Sequence, residues 1–242
     1  MFINMELMKS LKKDALEFGI ELSDYQLKQF YDYYELLIEW NEKINLTAIT
    51  DFNEVLKKHF LDSISLVKAV PLDGSFTLID IGTGAGFPGI PIKIAFPNIK
   101  VTLLDSLNKR VIFLEEVISK LGLIEIEAIH GRAEDFAKEG MLRESFDYSV
   151  SRAVANLSSL CEFCLPYVKV GGMFISYKSE KAKEEMQISK NAIDILGGNI
   201  LGCENFLLPG TDMERNFVII KKVVPTPLKY PRKAGTPIKK PL

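Results

Sequence analysis

The segment Leu78-Ile-Asp80-Ile-Gly82-Thr-Gly84-Ala-Gly86-Phe87-Pro-Gly89 joins an apolar run, a carboxylate and closely spaced glycines. Glycines after a strand let the backbone turn tightly and approach a ligand, and in an open α/β sheet ligands lie beyond the carboxyl ends of the strands. A nucleotide-like ligand is therefore expected at this turn. A dinucleotide fingerprint, G-x-G-x-x-G, would place its third glycine at position 87, where the chain carries Phe87. That spacing argues against a nicotinamide dinucleotide. Asp80 would not suit a pyrophosphate, but it can orient a ligand that bears an ammonium group and a sulfonium charge.

The next apolar run, Val101-Thr-Leu-Leu-Asp105, ends in a second carboxylate. It lies about 20 residues beyond the glycines, where this architecture accepts hydrogen bonds from the two hydroxyls of an adenosine ribose. Capping the following helix is the other role open to Asp105, with Ser106 as a rival cap. After the third run comes His130-Gly-Arg132-Ala133-Glu134, whose loop suits the edge of an adenine; that contact is assigned to Ala133 and Glu134. His130, closing an apolar strand, reads as a structural histidine rather than a catalyst. Cys161-Glu-Phe-Cys164 has a C-x-x-C spacing, but no second pair or nearby histidine completes a zinc set, so buried thiols and no metal are expected.

The elements that must position these residues fall into three stretches, expected as 1–70, 71–224 and 225–242. The first reads as helices: Leu7, Leu11, Ala15 and Phe18 share one face, and Leu27, Phe30, Tyr34 and Leu37 another. Ser23 and Gln26 form a capping-box pattern with Leu22 and Leu27 as its hydrophobic staple. A third helix is expected from Asp51 to Glu54 onward, ending before Pro71. From Phe76 short apolar runs near 76–81, 100–105, 125–130, 146–150, 172–177 and 216–222 alternate with helices near 89–96, 107–121, 155–168 and 180–196. That alternation predicts a doubly wound, mostly parallel α/β sheet, because parallel neighbours need a crossover of about a dozen residues. Beyond Pro225 the chain is proline-rich, and an extended arm is expected.

With 242 residues, 47% apolar and 26% charged, the chain suits a folded domain with its own core. No apolar stretch approaches the ~18–20 residues of a membrane span, which makes the cytoplasm the default compartment. The net charge of −2 decides nothing about nucleic acid, but its placement does. Lys221, Lys222, Lys229, Arg232, Lys233, Lys239 and Lys240 follow one another with no acidic residue among them.

Asp80-x-Gly-x-Gly-x-Gly resembles the first motif of class I S-adenosylmethionine-dependent methyltransferases, which implies a Rossmann-like domain, here with an N-terminal helical subdomain. Five further segments narrow the resemblance: Trp40-Asn41-Glu-Lys-Ile-Asn45-Leu46-Thr47, His59-Phe-Leu-Asp62-Ser63, Gly86-Phe-Pro-Gly-Ile-Pro91, Ser151-Arg152-Ala153-Val154-Ala155, and Tyr230-Pro-Arg232 with the terminal Lys240-Pro-Leu242. Together they resemble the glucose-inhibited division protein B family of small-subunit rRNA guanine-N7-methyltransferases over nearly the whole chain. The resemblance implies methyl transfer from S-adenosyl-L-methionine to N7 of a guanine in 16S rRNA, near the decoding site, in bacterial cytoplasm. It maps cofactor contacts onto Gly82, Phe87, Ala133, Glu134 and Arg152, to which the reading above adds Asp80, Gly84 and Asp105. Arg152 is expected at the end of the fourth strand, facing a guanine O6 edge, an RNA phosphate or the cofactor carboxylate; an ion pair with Glu134 or Asp147 is the structural alternative. Arg152, His59 and Asn45 are the candidates for catalysis or closure, although His59 and Asp62, three apart, equally suit an intrahelical pair. Lys178, Lys229, Tyr230, Arg232 and Lys233 are the expected RNA contacts, the tyrosine by stacking. The expected partner is 16S rRNA or the small subunit, bound by a monomer. Rival readings are a methyltransferase of the same fold acting on a small molecule or another RNA, and an RNA-binding assembly protein without turnover.

Overall fold

The computed structural model describes residues 5–178 and 181–242, with side chains from Met8 onward; the expected contribution of Leu7 and the start of the expected helix at position 180 lie outside these. Seven strands form one sheet in the order β3-β2-β1-β4-β5-β7-β6. They are β1 Thr77–Ile81, β2 Lys100–Asp105, β3 Ile126–His130, β4 Phe146–Arg152, β5 Val168–Lys178, β6 Gly198–Leu207 and β7 Glu214–Lys222. The first five pair in parallel, and β7 runs antiparallel between β5 and β6. Order reverses between β1 and β4, so the carboxyl ends of β1, β2 and β4 open a crevice at the switch point.

β6 falls in a segment that reads as irregular from sequence. Its apolar residues do not alternate cleanly, because the pairing register slips between Ile200 and Gly202, and as an edge strand it buries little. The helix expected near 180–196 is two, Ala182–Ile188 and Lys190–Ile195. The arm is not wholly extended either: it closes in the short helix Thr236–Lys239, with Pro237 in its first turn.

The N-terminal helices are α1 Met5–Glu17, α2 Asp24–Ile44 and a third, α3, over 52–68. Ser23 and Gln26 cap α2 reciprocally, an arrangement worth about 1 kcal/mol. Phe30, Tyr33 and Phe60 pack under Phe87 in a core that runs without a break from these helices into one face of the sheet. Polar side chains of α2 also satisfy carbonyls that helix ends leave without partners. Gln26 Nε2 donates to Ile94 and Ala95 (2.8 and 3.0 Å), Gln29 Nε2 donates to Leu121, and the Tyr33 hydroxyl donates to the Ala85 carbonyl in the glycine turn. The helical layer is thereby tied to the ends of two crossover helices and, through Tyr33, to the ligand-binding edge. A second core, with Cys161, Cys164, Phe163 and Tyr167, fills the other face.

Candidate functional site

The glycine turn is braced from beneath. Asp80 is fully buried, and its Oδ2 accepts from Thr83 Oγ1 (2.6 Å) and from the Gly89 amide (2.9 Å), so it holds the turn rather than facing the cleft. Burial pushes its carboxyl up to about 6, and Oδ1 has no partner. Gly82 (φ 71°) and Gly84 (φ 63°) take the left-handed backbone that permits the turn, and a Cβ on Gly82 would lie 2.7 Å from Val154. Asp105 ties the turn to the next strand: Oδ2 accepts from the Gly84 amide (2.9 Å), and Oδ1 accepts from the Leu107 amide (2.9 Å). Of the two roles foreseen for Asp105, lining the cleft is the one it takes: the helix Asn108–Lys120 has Leu107 as its N-cap with no side-chain cap, and Asp105 instead holds the turn ahead of it and pairs with Arg110 at 3.4 Å.

Above the turn lie two cavities that share Gly82, Ser106 and Val154 as walls. One, of about 290 Å³, has an apolar wall of Ile81, Leu104, Ala133, Phe163 and Ile238 with the backbone of Gly131 and Gly235, and Arg132 beside it. Glu134 lines it, but its Oε1 accepts from the Gly235 amide (2.9 Å), so this carboxylate positions the C-terminal arm. The other, of about 490 Å³, is more polar and is bounded by Gly84, Phe87, Asp105, Thr47, His59 and Arg152. An apolar slot with backbone edges, joined across Gly82 and Ser106 to a polar chamber that holds the buried Asp105 carboxylate, fits the base, ribose and charged tail of an adenosine-based cofactor.

The polar chamber depends on an irregularity in α3. Its central turn, Leu56–Leu61, is π-helical, so the Asp62 amide reaches the carbonyls of His59 and Lys57 instead of Lys58. The Lys58 carbonyl accepts from Arg152 Nη1 (3.1 Å), and the same nitrogen donates to Asp62 Oδ2 (2.6 Å). Arg152 Nη2 meets His59 Nδ1 at 3.2 Å, and the guanidinium lies 5.2 Å from the Phe87 ring centre. Arginine cannot accept, so Nδ1 of His59 must, and the ring proton sits on Nε2, donating to Thr47 Oγ1 (2.8 Å). His59 stacks on Phe87 with ring centres 4.4 Å apart. Burial, followed by the nearby Arg152 charge, lowers its pKa to about 4 and keeps it neutral.

These contacts revise two expectations. The carboxylate partner of Arg152 is Asp62; Glu134 faces the arm, and Asp147 accepts from Thr77 and Lys169. Nor do His59 and Asp62 pair along their helix, for they converge on Arg152 from the same side, while Asp62 Oδ1 accepts from Arg215 Nε (2.5 Å). Asn45 is exposed and ends α2 in a left-handed conformation (φ 49°). Its neighbours serve the cleft: Asn41 Oδ1 accepts from the amides of Leu46 (2.6 Å) and Thr47 (2.8 Å) and holds Thr47 against His59. Thr47 and Asn41 lie within the Trp-Asn to Leu-Thr segment that carries the resemblance, and that position was the available signal for them.

The arm is folded onto the domain. Arg232 forks onto Glu162, which has no exposed surface, with Nη2 to Oε2 at 2.6 Å and Nε to Oε1 at 2.9 Å. Tyr230 is buried, Lys178 pairs with Glu185 at 2.8 Å, and Lys229 and Lys233 are exposed. In this conformation Tyr230 and Arg232 anchor the arm, with the tyrosine ring turned away from solvent.

Residues 26–209 match the model of the GidB family, described as rRNA small subunit methyltransferase G. The chain is 52% identical to the ribosomal RNA small subunit methyltransferase G of Alkaliphilus metalliredigens, covering 98% of this chain and 100% of that protein. It is 56% identical to the protein of the same name from Lachnoclostridium phytofermentans, with 93% of each covered. Among solved structures, it resembles a SAM dependent methyltransferase from Aquifex aeolicus (TM-score 0.53, 19% identity, 70% of this chain and 93% of that one). It also resembles the [4+2]-cyclase SpnF (TM-score 0.57, 14% identity, 85% and 98%). These two likenesses show the fold, and the second shows that this fold does not dictate a reaction.

Proposed function

The chain belongs to the GidB family of rRNA small subunit methyltransferases, and from that premise we propose that it transfers a methyl group from S-adenosyl-L-methionine to N7 of a guanine in 16S rRNA. The observation that carries the reading is the join of the apolar slot to the polar chamber across Gly82 and Ser106, with Arg152 and a neutral His59 at the far wall.

S-adenosylmethionine, when bound, supplies an electrophilic methyl on a sulfonium. Guanine N7 carries an unprotonated lone pair at neutral pH, so nothing on the protein has to remove a proton from the nucleophile. The site therefore works by positioning and by electrostatics. Asp105 offers lone pairs to a ribose, and Ala133 offers its backbone to an adenine edge. Arg152 has five N–H donors, of which three are engaged with Asp62, Lys58 and His59; the rest remain for a ligand carboxylate or the guanine. His59, held neutral, adds no second positive charge beside a reaction that moves positive charge onto the base.

Residues 1–70 act in this reading as the cover of the polar chamber, and Lys229 and Lys233 supply phosphate contacts from the arm. The protein works as a monomer in the cytoplasm. The test is transfer of labelled methyl to small subunits isolated from a strain lacking the protein, with the product nucleoside identified after digestion. Recovery of 7-methylguanosine at one site, lost with Gly84→Asp protein, is the expected result. Cofactor binding without transfer to subunits or free rRNA would overturn the RNA assignment.

A further inference from the structure

A third cavity, of about 310 Å³, lies on the other side of Arg152 from the cofactor cleft. The carboxyl ends of β4 and β5 and the start of antiparallel β7 meet at this edge, where the sheet places ligands. Its volume is at the small end of ligand pockets. Among the described residues, only Arg152 and Ala153 line both this cavity and the polar chamber. Ala153 is left-handed (φ 57°), a strained conformation for alanine. That strain falls at a small side chain standing between the two spaces.

The cavity carries donors and acceptors that, without a ligand, satisfy one another. Asp62 accepts from both Arg152 (2.6 Å) and Arg215 (2.5 Å), and Glu185 accepts from Lys178 (2.8 Å). Tyr177 and Phe217, packed edge to face at 4.6 Å, give it an apolar floor. Guanine offers acceptors at N7 and O6 and donors at N1 and its exocyclic amine. It can exchange into such a paired network without leaving a buried charge alone, whereas an apolar group could not.

We propose that this cavity receives the acceptor guanine, unstacked from the RNA, with its N7 turned toward Ala153 and the cofactor cleft. Lys178 then holds the O6 edge, the more exposed Arg215 holds the adjoining phosphate, and Asp62 accepts from the N1 and amine side. The cost of unstacking is offset by a pocket that engages the freed edge. The inference rests on the methyl-transfer reading above and adds the place of the acceptor. It also gives Lys178 a role that its burial would deny it as a surface phosphate contact.

The experiment compares Arg215→Gln, Lys178→Gln and the charge-keeping Arg215→Lys with wild type, in methyl transfer to undermethylated small subunits and in equilibrium binding of S-adenosylmethionine. Losing one charge-assisted hydrogen bond to the base or its phosphate lowers kcat/KM roughly tenfold to hundredfold, while the cofactor dissociation constant stays within about twofold of wild type. Arg215→Lys, which retains the pairing with Asp62, keeps the fold if Arg215→Gln does not and shows a smaller loss in the same direction. Unchanged kcat/KM in the folded variants overturns the assignment, and so does a parallel loss of cofactor binding, which would make the cavity part of the cofactor site. Failure of the methyl-transfer reading looks different: wild type itself would then bind cofactor and transfer nothing.

Discussion

The two ends of the chain cover the two halves of the same cleft, and they do so by different means. The N-terminal region brings side chains: His59 and Asp62 meet Arg152 at the wall of the polar chamber, and Thr47 holds His59 there. The C-terminal arm brings the Gly235 backbone and the Ile238 side chain to the apolar slot, and is anchored by Arg232 on Glu162 and by the Gly235 amide on Glu134. Charged groups are spent where charge must move, and the half that faces an uncharged base is closed by shape. The comparison predicts that damage to the helical cover reaches the chemistry, whereas damage to the arm reaches folding and cofactor affinity.

Arg152→Ala should have the largest effect on turnover, lowering the methyl-transfer rate by about 100- to 1,000-fold, as expected for loss of a preorganised donor. Asp62 keeps Arg215, so the melting temperature should change far less than activity does. Arg232→Ala is the mirror image, because it leaves fully buried Glu162 without its partner. A loss of about 3 kcal/mol or more in unfolding free energy is expected, with weaker cofactor binding but a near-normal rate at saturating cofactor. Equal losses in both variants, in stability and in rate alike, would erase the distinction between the two covers.

His59 sharpens the comparison through pH. Its folded pKa of about 4 lies below the ordinary 6.5, so the unfolded chain takes up its proton first as pH falls. The contribution is therefore complete above 6.5 and is lost as pH falls toward 4. The wild type should show this limb in denaturant unfolding and His59→Gln should lack it. Asp80, raised to about 6, contributes in the opposite direction, which is why the difference between the two proteins is the quantity to measure. The methyl-transfer rate itself should stay flat between pH 6.5 and 8. Ser23→Ala should cost about 1 kcal/mol of stability through the α2 cap and leave the rate untouched at temperatures well below unfolding. Last, Lys229→Ala and Lys233→Ala should each reduce the salt slope of RNA binding by about 1. An unchanged slope would remove the arm from RNA binding.

Much of the architecture was legible because it is local. The capping box at Ser23, the strands ending at Ile81, Asp105 and Arg152 and the glycine turn follow from side-chain periodicity and backbone freedom, which act over a few residues. Strand β6 was hidden by its slipped register and poor alternation, and the break of the 180–196 helix left no proline or glycine to mark it.

What tertiary structure decided is partnership. Residue types alone allowed Arg152 to pair with Glu134 or Asp147, and allowed His59 to pair with Asp62. A π turn placed between them freed the Lys58 carbonyl and turned His59 and Asp62 together onto Arg152. Likewise a run of basic residues reads as one patch, yet Arg232 is committed to Glu162 and Lys222 is buried against Glu144, the Leu165 carbonyl and Thr226, while Lys229 and Lys233 stay in water. The sequence by itself determined where ligand-binding edges form, since turns and strand ends are short-range consequences of glycine and apolar spacing. Which charges neutralise one another depends on contacts between residues many tens of positions apart, and only the folded core brings those to hydrogen-bonding distance.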